Sequence, residues 1–298
     1  MAKIVFFLGK GGVGKSTVSA LASLQAAINN KSILLVSLDP AHNLSDIFDK
    51  KLGAKVKKVR DNLLVKEVDK NKMIKEYLKE LEQKLSSTYS YQSAFNLLGY
   101  FEIIRHSPGI EEYSMIKAFI DISGKYHDKD YIIFDMPPTA LTIKFFRLPT
   151  ISLMWLGKLK DLRNKIVSKK KLITRIRIGK KEFERDKVLK KIDESINEYK
   201  SVRTVFSEAG KTILNLIINP ERLSFTESLD IEKDLKEINL KPAHIILNKY
   251  QNNADIEYIK KSFKSDSIFT LPYSECPLIG MTNLERHLRE SCLDFDFL

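Results

Sequence analysis

The feature that most constrains the fold is a glycine-rich segment close to the amino terminus. Residues 9–16 read GKGGVGKS and satisfy the spacing G-x-x-x-x-G-K-[ST]. They follow an apolar run, residues 3–8, that predicts a buried strand, and they precede residues 17–29, which predict a helix. Glycines let backbone N–H groups face phosphate oxygens, and a helix N-terminus adds positive partial charge. The sequence therefore predicts a strand–loop–helix unit that binds nucleotide phosphates.

The polar residues that close this loop carry the predicted phosphate chemistry. The Lys15 ammonium is expected to neutralise the β and γ phosphates, and the Ser16 hydroxyl to ligate Mg²⁺. The cofactors predicted at this point are a nucleoside triphosphate and Mg²⁺.

Further apolar runs predict a layered α/β fold. Residues 32–38 and 131–134 read as buried strands that end at Asp39 and Asp135. Helical patterns separate most of the remaining strand candidates, which are residues 63–68, 212–218, 243–247 and 268–271. This alternation predicts a mostly parallel P-loop NTPase sheet with helices on both faces.

Two long stretches interrupt that alternation. Residues of about 70–125 and about 145–210 are helical in pattern and contain no convincing strand. We find neither an internal repeat nor a low-complexity linker, so we predict a single domain over residues 1–298 that carries two helical insertions.

Bulk composition narrows the class of protein. The chain has 43% hydrophobic and 30% charged residues, which is typical of a folded protein, and it lacks an apolar run of about 18 residues. We therefore expect a cytoplasmic protein. Cys276 and Cys292 are the two cysteines, which is too few for a disulfide framework or a four-cysteine zinc site.

The net charge of +12 is concentrated in one segment. Residues 158–191 contain 15 Lys or Arg against 4 Asp or Glu, so they contribute +11. Such a segment suits an anionic membrane surface, the flank of a bound helix, or simply a solvated helical face. Because Phe183 is its single aromatic residue, stacking on bases is disfavoured and we expect no nucleic acid partner.

Lys10 and residues 39–46 carry a resemblance to a known family. GKGGVGKST resembles the deviant Walker A loop of ATPases that pair face to face, and DPAHNLSD is similar to switch I of the ArsA/GET family of arsenite-pump and tail-anchored-protein-targeting ATPases. The resemblance implies a homodimeric ATPase that uses ATP and Mg²⁺, with Lys10 reaching the nucleotide of the opposing subunit. It also implies that Asp39 orients or activates the attacking water and that Asn43 contacts the phosphate region.

Later segments of the chain extend the resemblance. Asp135 fits a Walker B position, where it would accept from the water shell of Mg²⁺. The loop after it is similar to the family's switch II, D-T-A-P-T-G-H-T, but departs from it at Met136, Pro137, Ala140 and Leu141. The family also implies that Asn248 reads the adenine edge and that Pro272 belongs to a loop packing against the base.

The loop motif and the resemblance thus imply three sets of site residues. Those with a catalytic role are Lys10, Lys15 and Asp39, and those that hold the metal are Ser16 and Asp135. The nucleotide-binding set is Gly11, Gly12, Val13, Gly14, Lys15, Ser16, Thr17, Asn43, Asn248 and Pro272.

The work that such an ATPase performs stays open between two classes. The first is nucleotide-gated binding or targeting of hydrophobic, tail-anchored-like clients by a helical client-binding subdomain; the second is an ATPase that drives a membrane transporter such as an arsenite or antimonite efflux pump. The apolar residues of the insertions either form a client groove or belong to the core. They are Leu97, Leu98, Phe101, Ile103, Ile104, Leu153, Met154, Trp155 and Leu156.

Overall fold

The structure is a computed structural model of the chain. It describes residues 2–41, 43–88, 104–178, 186–251, 256–263, 267–291 and 295.

One eight-stranded sheet organises the described residues. Its strands are β1 Lys3–Gly9, β2 Ile33–Ser37, β3 Lys57–Arg60, β4 Leu63–Glu67, β5 Tyr131–Asp135, β6 Thr212–Ile218, β7 His244–Tyr250 and β8 Ile268–Pro272. Their order is β3-β4-β2-β5-β1-β6-β7-β8, and every neighbouring pair is parallel except β3 with β4. The strand β1 therefore lies in the middle of the sheet, between β5 and β6.

Helices connect most of these strands. They are α1 Lys15–Ile28, α2 Asn43–Ile47, α3 Lys70–Thr88, α4 Ile110–Lys125, α5 Thr139–Ile178, α6 Lys187–Ser207, α7 Arg222–Glu237, α8 Ile256–Phe263 and α9 Met281–Glu290. Parallel neighbours require such crossovers, because the chain must return to the same end of the sheet before each new strand.

Both faces of the sheet are buried, because successive strand residues point to opposite sides. On one face Phe6 packs with aromatic side chains from the helices that cover it, including Phe119 of α4 and Phe206 of α6. On the other face Phe7 belongs to the cluster that α1 and α9 cover. The predicted fold class, a mostly parallel sheet with helices on both faces, is confirmed.

The edge strand β3 was missed by the sequence analysis. Its sequence KKVR buries only Val59, so it lacks the apolar run that marks the inner strands. It forms because the chain turns at Asp61 and Asn62 and pairs antiparallel with β4, at the edge of the sheet, where its lysines reach solvent.

The first predicted helical stretch, about 70–125, contains α3 and α4. The second, about 145–210, contains most of α5 and all of α6. The helix α5 begins at Thr139, six residues before the predicted start, and continues through Pro149. The division into one domain with two insertions stays a prediction. Among the suggested groove residues, Leu97, Leu98, Phe101 and Ile103 lie outside the described residues, whereas Met154 and Trp155 are exposed. Within the described part, no helix is long and apolar enough to cross a membrane.

Candidate active site

The candidate site lies at the carboxyl edge of the sheet, around β1. The glycine-rich loop follows β1, Asp39 follows β2, and Asp135 is the last residue of β5. Because β5 pairs with both β1 and β2, these three segments end next to one another. Open α/β sheets bind ligands at this edge, at the point where the strand order reverses.

The shape of the loop depends on two of its glycines. Gly14 precedes α1 with φ of 93°, and a Cβ there would clash with the Asn248 side-chain amide. At Gly9, a Cβ would lie 2.5 Å from the backbone oxygen of Ile217 in β6. The loop can therefore press against β6 and β7 only while both positions lack a side chain.

Ser16 and Asp135 are joined directly. The Ser16 hydroxyl donates to Asp135 Oδ2 at 2.7 Å, and the Ser37 hydroxyl donates to the same oxygen at 3.2 Å. Asp135 is fully buried, and this burial raises the pKa of its carboxyl to about 7, against the opposing effect of the Ser16 hydrogen bond. Its second oxygen, Oδ1, is buried and has no hydrogen-bond partner.

Lys15 is buried beside the carboxylates of Asp135 and Asp39. The residue is 5% exposed, and its ammonium donates to the backbone oxygen of Lys10 at 3.1 Å. Burial lowers the pKa of Lys15, while the charges of Asp135 and Asp39 act in the opposite direction. A phosphate group would give this buried cation a further negative partner.

Asp39 is held in a fixed orientation at the end of β2. Its backbone N–H donates to the Ser37 hydroxyl at 3.2 Å, and its Oδ1 accepts from the Ala41 N–H at 3.0 Å. The latter contact is an Asx-turn, which sets the direction of the carboxylate. The carboxylate therefore has its orientation before any ligand binds.

The segment that contains the octet is anchored by Glu67, which the sequence analysis did not single out. Glu67 ends β4, is buried, and accepts from the Ser45 N–H at 2.8 Å and from the Ser45 hydroxyl at 2.6 Å. A signal was present, because an acidic residue also ends the strands at Asp39 and Asp135. His42, within the octet, lies outside the described residues.

Asn248 supports the glycine-rich loop. Its Nδ2 donates to the Val13 backbone oxygen at 2.7 Å, and its Oδ1 accepts from the Lys249 N–H at 2.9 Å. One amide hydrogen and one lone pair remain for another partner. Recognition of adenine by Asn248 stays a prediction, and loop support is a role that the sequence did not suggest.

The other predicted residues lie around the same edge. Gly11 and Gly12 are exposed in the loop, Thr17 is half-buried in the first turn of α1, Asn43 is the exposed first residue of α2, and Pro272 is the half-buried last residue of β8. Pro272 pairs with Tyr250, two residues after Asn248. Their individual roles remain predictions.

The polar groups fit a hydrated divalent cation. Mg²⁺ prefers oxygen ligands and keeps several waters. A buried carboxylate oxygen without a partner, next to a serine hydroxyl, offers the acceptor that such a hydrated ion needs. The residues that would hold Mg²⁺ here are Ser16 and Asp135.

Comparison with known proteins places the chain among ATPases. The model of the family described as "Anion-transporting ATPase" matches residues 2–287. The "Putative arsenical pump-driving ATPase 2" of Aquifex aeolicus is 30% identical over 299 residues, which is 95% of this chain and 97% of that protein. The "ATPase GET3" of Komagataella phaffii is 29% identical over 263 residues, covering 86% and 75%, and the "ATPase ASNA1 homolog" of Entamoeba histolytica is 30% identical over 254 residues, covering 83% and 76%.

Proposed function

We propose a function from the premise that this chain belongs to the anion-transporting ATPase family. In this proposal it hydrolyses ATP with Mg²⁺ as a homodimer, and it uses the cycle of hydrolysis to bind and release a hydrophobic protein client. That it is an ATPase follows from the family and from its ATPase relatives. The dimer, the client and the residue roles below are the proposal.

The observation that supports the reaction most directly is the cluster at the ends of β1, β2 and β5. It combines a buried cation, Lys15, with two buried carboxylates, Asp39 and Asp135, below a glycine-rich loop. Phosphoryl transfer is catalysed mainly by positioning and by neutralising charge, so these groups are the ones it requires.

Each residue of the cluster has one task in the proposed reaction. Lys15 and the N–H groups of residues 11–16 hold the phosphates, and the Asx-turn at Asp39 keeps its carboxylate directed at the attacking water. Ser16 and Asp135 would hold Mg²⁺, which would supply positive charge to neutralise the phosphates. Lys10 supplies a cation to the nucleotide of the opposing subunit, which makes hydrolysis depend on dimer formation.

A client is supported by an apolar face of α5. Five large apolar residues are between 47% and 71% exposed in the part of this helix whose side chains the structure describes, residues 139–169. They are Ile151, Met154, Trp155, Leu162 and Ile166, and four of them recur at intervals of four or seven residues, so they line one side of the helix. We name this surface the α5 face. An apolar helix face of this kind suits an amphipathic or hydrophobic helix as its occupant.

The test of the reaction is Asp39→Asn. We expect this variant to bind ATP and to accumulate as a dimer. Its turnover should fall at least about a hundredfold, because a neutral amide replaces the carboxylate that directs the water. Turnover and light scattering in the presence of Mg–ATP measure both effects. A variant that hydrolyses ATP at the wild-type rate removes Asp39 from the reaction.

The test of the client uses a charge on the α5 face. Trp155→Glu is expected to weaken binding of a fluorescent hydrophobic helix peptide by about tenfold or more, because a charge would have to be desolvated, while basal ATPase activity stays unchanged. The matched control is Asn164→Glu, which adds the same charge to an exposed position of the same helix, about half a turn away from that face. Equal binding by both variants contradicts the assignment of the α5 face.

A second candidate function is favoured by the name of the Aquifex aeolicus relative, a putative arsenical pump-driving ATPase. It predicts that arsenite or antimonite raises ATP turnover. The same ATPase assay distinguishes the two functions: stimulation by a hydrophobic peptide, with none by either metalloid, favours the client, and the reverse favours the pump.

A further inference from the structure

Lys10 is paired within its own subunit. Its ammonium lies 2.9 Å from Glu227 Oε1, and the two side chains are 25% and 42% exposed. Glu227 belongs to the second turn of α7, the helix that follows β6. Because the loop lies against β6 at Gly9, the start of α7 comes next to the loop.

This pairing conflicts with the task proposed for Lys10. An ammonium held by a carboxylate of its own subunit is partly neutralised and is kept at its own α7. To reach a nucleotide in the opposing subunit, it must leave Glu227. The ion pair is half-exposed, so water and salt weaken it, and a polyphosphate can compete for the cation.

We infer that Glu227 is a positioning residue that retains Lys10 in the separate subunit and releases it when the nucleotide-bound dimer forms. The inference rests on the proposed function, since it acts through Lys10. Exposed or half-exposed ion pairs contribute little, so the expected effect is a modest shift of the assembly equilibrium, of about two- to fivefold.

The test compares Glu227→Gln with Asp230→Asn. Both remove one negative charge from α7, but Asp230 is exposed one turn further on, and no ion pair joins it to Lys10 in the described structure. ATPase activity is measured as a function of protein concentration at saturating Mg–ATP. We expect Glu227→Gln to lower the half-maximal protein concentration by about two- to fivefold while kcat at high protein concentration stays unchanged, and Asp230→Asn to behave as wild type.

A conservative replacement separates positioning from a general structural effect. Glu227→Asp keeps the charge within reach of the long lysine side chain, so it is expected to restore most of the wild-type concentration dependence. If Glu227→Gln matches Asp230→Asn, or needs more protein than wild type for half-maximal activity, the inference is wrong.

Lys10→Ala distinguishes failure of this inference from failure of the proposed function. If Lys10→Ala abolishes hydrolysis and Glu227→Gln has no effect, only the role of Glu227 is refuted. If Lys10→Ala hydrolyses ATP as wild type does, the proposed role of Lys10 fails and the role of Glu227 fails with it.

Discussion

At the scale of single residues, the chemistry of the site depends on what surrounds Asp135. Its Oδ2 accepts from two serines, whereas its Oδ1 is buried without a partner. A buried polar atom without a partner costs free energy. The protein tolerates this cost at a position where the proposed ATPase reaction needs a ligand for hydrated Mg²⁺.

Asp135 makes stability depend on pH. Burial raises its pKa to about 7, whereas aspartate in an unfolded chain titrates near 4. Between these values the folded state binds more protons, so the contribution of this group is present in full below about pH 4 and is lost as pH rises through about 7. We expect Asp135→Asn to gain stability relative to wild type between about pH 5 and about pH 8.

Denaturant unfolding of both proteins with EDTA and without nucleotide measures this effect. If the stability difference between variant and wild type is the same at about pH 5 and at about pH 8, the raised pKa of Asp135 is contradicted.

Asn248 gives a second prediction at this scale. Asn248→Ala removes the donor to the Val13 oxygen, so we expect the unfolding free energy of the nucleotide-free protein to fall by about 1–3 kcal/mol. If Asn248 also reads adenine, the same variant loses part of its preference for ATP over GTP. A variant with unchanged stability would show that the contact with Val13 does not support the loop.

At the scale of elements, the position of α2 depends on one buried carboxylate. Glu67 at the end of β4 accepts twice from Ser45 in α2, and it also accepts from the Gly53 N–H at 3.4 Å. The segment that follows Asp39 is therefore tied to the sheet at its far end. This tie holds residues 39–46 in place, and with them the carboxylate of Asp39.

Loss of the Glu67 charge should therefore affect turnover more than binding. We expect Glu67→Gln to lower kcat by about five- to tenfold and the unfolding free energy by about 1–2 kcal/mol, because charge-assisted hydrogen bonds become neutral ones, while the KM for ATP changes less than about twofold. Steady-state kinetics and denaturant unfolding check this. Ser45→Ala removes the partner, and additive effects in the double variant would show that the two residues do not act together.

At the scale of the whole molecule, the proposed dimer makes two inactive variants complement each other. Lys10→Ala lacks the cation that is supplied to the opposing nucleotide, and Asp39→Asn lacks the carboxylate in its own site. In a mixed dimer, the site of the Lys10→Ala subunit has its own Asp39 and receives Lys10 from the other subunit. An equal mixture should recover about a quarter of wild-type activity.

ATP turnover of the mixture, with each variant alone as a control, measures this recovery. If the mixture is no more active than its components, Lys10 does not act between subunits. If each variant alone hydrolyses ATP at the wild-type rate, the residue roles themselves are wrong.

The sequence by itself determined the loop, the inner strands and the acidic residues that end them. These signals are local: glycine spacing within eight residues and apolar runs that stop at Asp39 and Asp135. Exposed and edge segments carried weaker patterns, which is why β3 was missed and α5 was expected to begin later than it does.

Only the tertiary structure decided which distant groups meet. The contact of Asn248 with Val13 joins residues 235 apart, and that of Ser16 with Asp135 joins residues 119 apart. Glu227 reaches Lys10 only because β6 lies beside β1 and brings α7 to the loop. Such contacts follow from strand order, which depends on how the whole chain buries both faces of the sheet, and no short segment carries that information.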